Sequence, residues 1–187
     1  GIGDVDGDGV PDLAVGTWSD DDGGGARGAV YVVFLNSDGT ARTMQKISDT
    51  EGGLAATLDD SDHFGATVGS IGDLDGDGIP DLLVGAFNDD DGGTDRGAVY
   101  VIFLNANGTV MAYQKISDTA GGLTATLSDS GDFGASVAGI GDLDGDGVSD
   151  MVVGAFDDDD GGTDRGAVHV LFLNSNGTVK GEQKISS

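Results

Sequence analysis

The chain repeats itself every 69 residues, and that period decides most of what it can fold into. DVDGDGVPD begins at Asp4, DLDGDGIPD at Asp73 and DLDGDGVSD at Asp142. The same step relates Arg27, Arg96 and Arg165, each opening RGAV, and Phe64 to Phe133, each opening FGA. No gap is needed, so residues 4–72 and 73–141 are two full copies and 142–187 a partial third. Self-similarity at a fixed long interval marks a stack of supersecondary units. This unit is too long for leucine-rich or ankyrin repeats and carries no helical pattern.

Each copy reads as four short strands. HFGATVGSI (63–71) and DFGASVAGI (132–140) form the first, and LAVGTW (13–18), LLVGAF (82–87) and MVVGAF (151–156) the second. AVYVVFL (29–35), AVYVIFL (98–104) and AVHVLFL (167–173) form the third, apolar on both faces and so expected to be buried on both sides. ARTMQKI (41–47), MAYQKI (111–116) and GEQKI (181–185) form a more polar fourth. Between third and fourth lie NSDGT, NANGT and NSNGT, whose Asp-Gly and Asn-Gly pairs supply the positive φ angles of tight hairpins. The expected fold is all-β, a β-propeller fragment of tandem four-stranded antiparallel blades.

The phase of the chain sets the blade boundaries. Residues 1–3 match the tail of a first strand, as in Ile71-Gly72. The expectation is a partial blade at 1–62 that lacks its first strand, then blades at 63–131 and 132–187. Propellers usually close with about four to eight blades, so the remaining blades of a longer parent chain are the first expected partners. A ring of several copies is the alternative.

Each repeat opens on Asp-x-Asp-Gly-Asp-Gly-x-x-Asp. Carboxylates at positions 1, 3, 5 and 9, with a backbone carbonyl at 7, form a hard all-oxygen shell of the kind Ca2+ takes. The ligands would be Asp4, Asp6, Asp8, the carbonyl of Val10 and Asp12. In the second copy they would be Asp73, Asp75, Asp77, Ile79 and Asp81, and in the third Asp142, Asp144, Asp146, Val148 and Asp150. Up to three Ca2+ are expected, the Asp4 site weakest because its blade lacks a strand. The loop is not an EF-hand, which needs a Glu at position 12 where this chain has Val15, Val84 and Val153. Any one loop reads equally well as a metal-free Asp-Gly turn; three at a fixed interval favour the ion.

Charge agrees. Eight Lys plus Arg face 34 Asp plus Glu, a formal net charge of -26. Such a field repels nucleic acid phosphate and attracts cations. There is no cysteine, so disulfides and thiolate metal sites are out. No apolar run approaches the ~20 residues of a membrane helix.

FGATVGSIGDLDGDGIPDLLVGAF resembles the FG-GAP repeat of integrin alpha-subunit propellers and of many secreted bacterial proteins. The resemblance implies a propeller with calcium between the first two strands of each blade, and an extracellular or cell-surface module for adhesion or ligand binding. The partner it implies is an extracellular protein or glycan. The near-identity of the copies leans toward the bacterial surface type. The Gly-Ala-Pro signature is replaced by Gly-Thr-Trp at 16–18 and Gly-Ala-Phe at 85–87 and 154–156, which puts the turn that Pro would fix in question. An accessory propeller of a secreted polysaccharide-degrading enzyme, with its catalytic part outside this chain, is the second reading, and a structural spacer the third. No nucleophile, base and orienter stand together in the sequence, so no catalysis is expected of the chain itself.

A second acidic run recurs at 19–25, 88–97 and 157–166. It reads as a solvated glycine-rich loop or, less simply, as a second cation site or a ligand-binding rim. Arg96 and Arg165 are expected to pair with Asp95 or Asp164. Trp18, His63 and His169 read as packing residues, and DDSDHFG (59–65) as a surface connection.

Overall fold

The computed structural model describes residues 1–186 and holds eleven strands. Strands β1 (Leu13–Thr17), β2 (Ala29–Leu35) and β3 (Ala41–Ile47) form a three-stranded sheet. Strands β4 (Thr67–Gly72), β5 (Asp81–Ala86), β6 (Ala98–Leu104) and β7 (Val110–Ile116) form a four-stranded meander. So do β8 (Phe133–Gly141), β9 (Asp150–Ala155), β10 (Ala167–Leu173) and β11 (Val179–Ile185). All strand pairings within the sheets are antiparallel, and the repeat fixes the register. Val68, Val84, Tyr100 and Lys115 lie in one row across the middle sheet, and Val137, Val153, His169 and Lys184 in the matching row of the third. These are three blades of a β-propeller in an open series.

The blades stack through two apolar layers. The alternation of strand side chains sends Leu82, Val84, Tyr100 and Ile102 toward the first sheet, where they meet Val30, Val32 and Phe34. It sends Leu83, Val99, Val101 and Phe103 toward the third sheet, where they meet Met151, Val153, Leu171 and Leu173. Burial of the third strand on both faces holds only for β6, every residue of which is buried. In β2 and β10 burial falls away along one face, because only one neighbouring sheet covers them.

The expected first strand begins too early in the middle blade. Phe64 crosses to the preceding blade: its N–H donates to the Arg27 carbonyl at 2.9 Å, forming a parallel bridge to Gly28, while the Gly65 N–H donates to the Gly85 carbonyl of its own blade at 3.1 Å. His63 (φ 60°) and Gly65 (φ 85°) break the extended backbone there, so the strand proper starts at Thr67. Phe133 repeats the crossing onto Gly97, through its N–H to the Arg96 carbonyl at 3.1 Å. The approach explains two glycines: a Cβ on Gly85 would stand 2.0 Å from the Gly134 carbonyl oxygen, and one on Gly97 2.1 Å from that of Phe133. The FG pair is thus a latch between blades. The turn after the second strand forms without proline, since Asp20 and Asp89 donate their N–H to the carbonyls of Thr17 and Ala86 (3.1 and 3.2 Å).

Candidate metal centres

The Asp-rich loops sit at one end of the blades, before β1, between β4 and β5, and between β8 and β9. Each is folded by its own carboxylates. In the middle loop Asp73 accepts N–H bonds from Gly76 (2.8 Å), Asp77 (3.0 Å) and Gly78 (2.9 Å). Asp75 accepts from Asp77 at 3.2 Å, and Asp77 from Ile79 at 2.8 Å. Backbone N–H groups thus gather the acids into a tight turn.

The ninth position has a separate task. Asp12, Asp81 and Asp150 are buried. Asp81 accepts from the Leu74 N–H at 2.9 Å and from the Leu104 N–H at 3.2 Å, and so ties the loop to the end of β6. Asp12 does the same with Val5 and Leu35, and Asp150 with Leu143 and Leu173. Burial pushes the Asp81 carboxyl up to about 7, against the pull of those two N–H bonds and with the help of the Asp75 and Asp77 charges.

Three carboxylates converge in each loop, with ligand atoms within 4.8 Å of one another: Asp4, Asp6 and Asp8; Asp73, Asp75 and Asp81; Asp142, Asp144 and Asp150. The fourth acid stands outside the group, Asp12 in the first loop and Asp77 and Asp146 in the others. Val10, Ile79 and Val148 are half-buried and donate their N–H groups to Asp8, Asp77 and Asp146. The donor set is all oxygen and strongly anionic, which suits a hard divalent cation. Two loops already attract a positive group: Arg42 pairs with Asp6 and with Asp8 (2.8 Å), and Lys180 with Asp144 (2.9 Å) and Asp146. Sequence reasoning passed over both.

The second set of acidic loops is filled by lysine. Lys46 pairs with Asp20 (2.9 Å) and Asp22 (2.5 Å), Lys115 with Asp89 (2.7 Å) and Asp91 (2.8 Å), and Lys184 with Asp158 (2.8 Å) and Asp160 (2.7 Å). The cation there is the protein's own, and the recurring Gln-Lys-Ile of the fourth strand was its signal. Arg96 does not pair with Asp95. It reaches Asp118 (2.8 Å) and Asp129 (2.7 Å) on the connection to the next blade, as Arg27 reaches Asp49 and Asp60. Arg165 makes no ion pair among the described residues.

Two packing expectations change and a third holds. Trp18 is 52% exposed, its ring edge-on to His63 at 4.9 Å. The 59–65 connection is not all surface, since Asp62 is buried. Its carboxyl is pushed up to about 7 by burial, aided by the Asp89 charge. His169 is a packing residue as expected, buried and edge-on to Phe133 at 5.3 Å, with neither ring nitrogen hydrogen-bonded.

Comparison with known proteins identifies the repeat. The FG-GAP repeat family matches residues 64–102. Integrin alpha-5 of Xenopus laevis is 36% identical over 130 residues, 69% of this chain and 11% of the relative. Integrin alpha-11 of Homo sapiens is 36% identical over 158 residues, 81% of this chain and 12% of the relative. Integrin alpha-6 of Homo sapiens is 32% identical over 155 residues, 83% of this chain and 12% of the relative. The chain spans about an eighth of these curated relatives. These matches do not bear out the leaning toward a bacterial surface type.

Proposed function

Starting from a chain that carries FG-GAP repeats like those of integrin alpha subunits, we propose that it is a calcium-binding, extracellular β-propeller module for adhesion or ligand binding. The residues that would hold the ions are the Asp at loop positions 1, 3, 5 and 9 and the carbonyls of Val10, Ile79 and Val148. The ion's part is structural: it neutralises acids that otherwise repel, and it pins the connection between the first two strands of a blade.

One observation supports this reading above the rest. Three carboxylates meet within 4.8 Å in each of three loops, 69 residues apart, with no cysteine or histidine among them. A turn needs no such convergence of charge. The proposed partners are the other blades of a longer chain and an extracellular protein or glycan.

Elemental analysis after dialysis into millimolar Ca2+ tests the metal. Up to three ions per chain are expected, with a melting temperature that falls in chelator. Less than one ion per chain would end the structural-calcium reading.

A further inference from the structure

The three loops differ at one position that lies outside them. Residues 42, 111 and 180 are related by the repeat and read Arg, Met and Lys. Each falls at a register shift between the third and fourth strands: Phe34 pairs Thr43 while Leu35 pairs Ala41, Phe103 pairs Ala112 while Leu104 pairs Val110, and Phe172 pairs Gly181 while Leu173 pairs Val179. The skipped residue is the extra one of a β-bulge, a device that re-aims a side chain. Here it is aimed at the loop of its own blade. Arg42 lands on Asp6 and Asp8, and Lys180 on Asp144 and Asp146, the third and fifth positions in both cases. Met111 carries no charge and leaves Asp75 and Asp77 without a basic partner among the described residues.

We propose that the bulge residue grades the three calcium sites: Arg42 and Lys180 are tethered competitors that weaken the first and third, and Met111 leaves the middle site tightest. This rests on the calcium reading of the loops. An incoming ion must displace the basic head from two of its carboxylates, or bind beside a fixed positive charge; at the middle loop it meets neither cost. An exposed pair of this strength supports about a fivefold difference in affinity. The difference should shrink as salt rises, since the competing pairs are exposed and screened. The grading follows the charge of the bulge residue, not the missing strand of the first blade, so the Asp4 and Asp142 sites fall together.

Calorimetric Ca2+ titration of the 187-residue chain tests it, together with Arg42→Met/Lys180→Met, Met111→Lys and the neutral control Met111→Gln. The parent should bind one ion about fivefold more tightly than the other two. The double variant should draw all three ions into one phase. Met111→Lys should loosen the tight ion about fivefold, and Met111→Gln should leave it in place. Three equal ions in the parent would overturn the grading while leaving calcium binding intact. So would weak sites that do not move in the double variant, or a loss in Met111→Gln equal to that in Met111→Lys. No ion bound by any chain would overturn the grading and the calcium reading together.

Discussion

Val30, Val99 and Val168 hold one position of the repeat, yet the first two are fully buried and the third is 42% exposed. The strands around them are nearly the same sequence, with the same partners and register. Only the neighbours differ. Val30 faces the middle sheet and Val99 the third sheet, while Val168 faces a side that no described residue covers. The middle and third blades therefore separate two things that a strand pattern merges. Alternation fixes which residues share a face; the next blade fixes whether that face is inside.

The sharpest way to break this comparison is to place one charge at both sites. Val99→Asp puts a carboxylate in the layer between two blades and is expected to cost several kcal/mol, enough to unfold the chain. Val168→Asp is expected to cost less than about 1 kcal/mol, because its face is open to water. Urea unfolding of the two variants measures the gap. Equal losses would mean that the third sheet is covered in solution.

The next contrast lies inside one loop. Asp81 is bonded to two backbone N–H groups, whereas Asp77 is exposed and bonded only within the loop. Asp81→Ala leaves the Leu74 and Leu104 donors unpaired and is expected to lower stability by about 2 kcal/mol or more even in chelator. Asp77→Ala should lose Ca2+ affinity and melt lower in Ca2+, then converge on the parent in chelator, since bound ligand stabilises by RT ln(1 + [L]/Kd). Thermal melts in Ca2+ and in chelator separate a bracket from a ligand. A chelator-independent loss in Asp77→Ala would remove the distinction.

Strand positions, hairpin turns and the convergence of acids in the three loops were legible in the sequence because each is written in local chemistry: alternation, Asn-Gly and Asp-Gly pairs, and acids at fixed spacing. What escaped was long-range. Lys46 and Asp20 lie 26 residues apart, and Lys180 and Asp146 lie 34 apart. A pairing at that distance is set by register and bulge, which the period hints at without specifying. Val168 escaped as well, since its exposure depends on a neighbour. The FG pair precedes the strand in the middle blade and opens it in the third, because a latch and a strand start share the same apolar-glycine signature.

The two junctions between blades allow a smaller test. Asp62 is buried in the first junction, and the repeat places Gly131 at the same point of the second. With its carboxyl pushed up to about 7 from an ordinary value near 4, Asp62 binds a proton more tightly in the folded chain than in the unfolded one. Its stabilising contribution is complete below the unfolded value and is lost as pH rises through about 7. Asp62→Asn should therefore be more stable than the parent at pH 8, by about 1–2 kcal/mol, with the advantage gone by pH 4. Melting temperatures across that range decide it. A variant less stable than the parent at pH 8 would show that the ionised carboxylate is needed there.

The weakest effect concerns the faces left open. Leu13 and Val15 stand in the first sheet where Leu82 and Val84 stand in the middle one, and those two pack on the sheet before them. Val168 and Ile185 stand where Val99 and Ile116 stand, and those two pack on the sheet after them. All four end residues are exposed, so the third sheet of one chain offers the surface that the first sheet of another is shaped to cover. Such a contact is heterologous and runs head to tail. The net charge of -26 opposes it, and each bound Ca2+ removes two negative charges. Self-association is therefore expected to be weak in chelator and to rise when Ca2+ is added, with Val168→Lys and Ile185→Lys suppressing it in both. Light scattering against concentration reads the change directly. A compact monomer at all concentrations, with and without Ca2+, would mean that these faces do not recognise one another, and that blade stacking needs the covalent connection as well as the apolar layer.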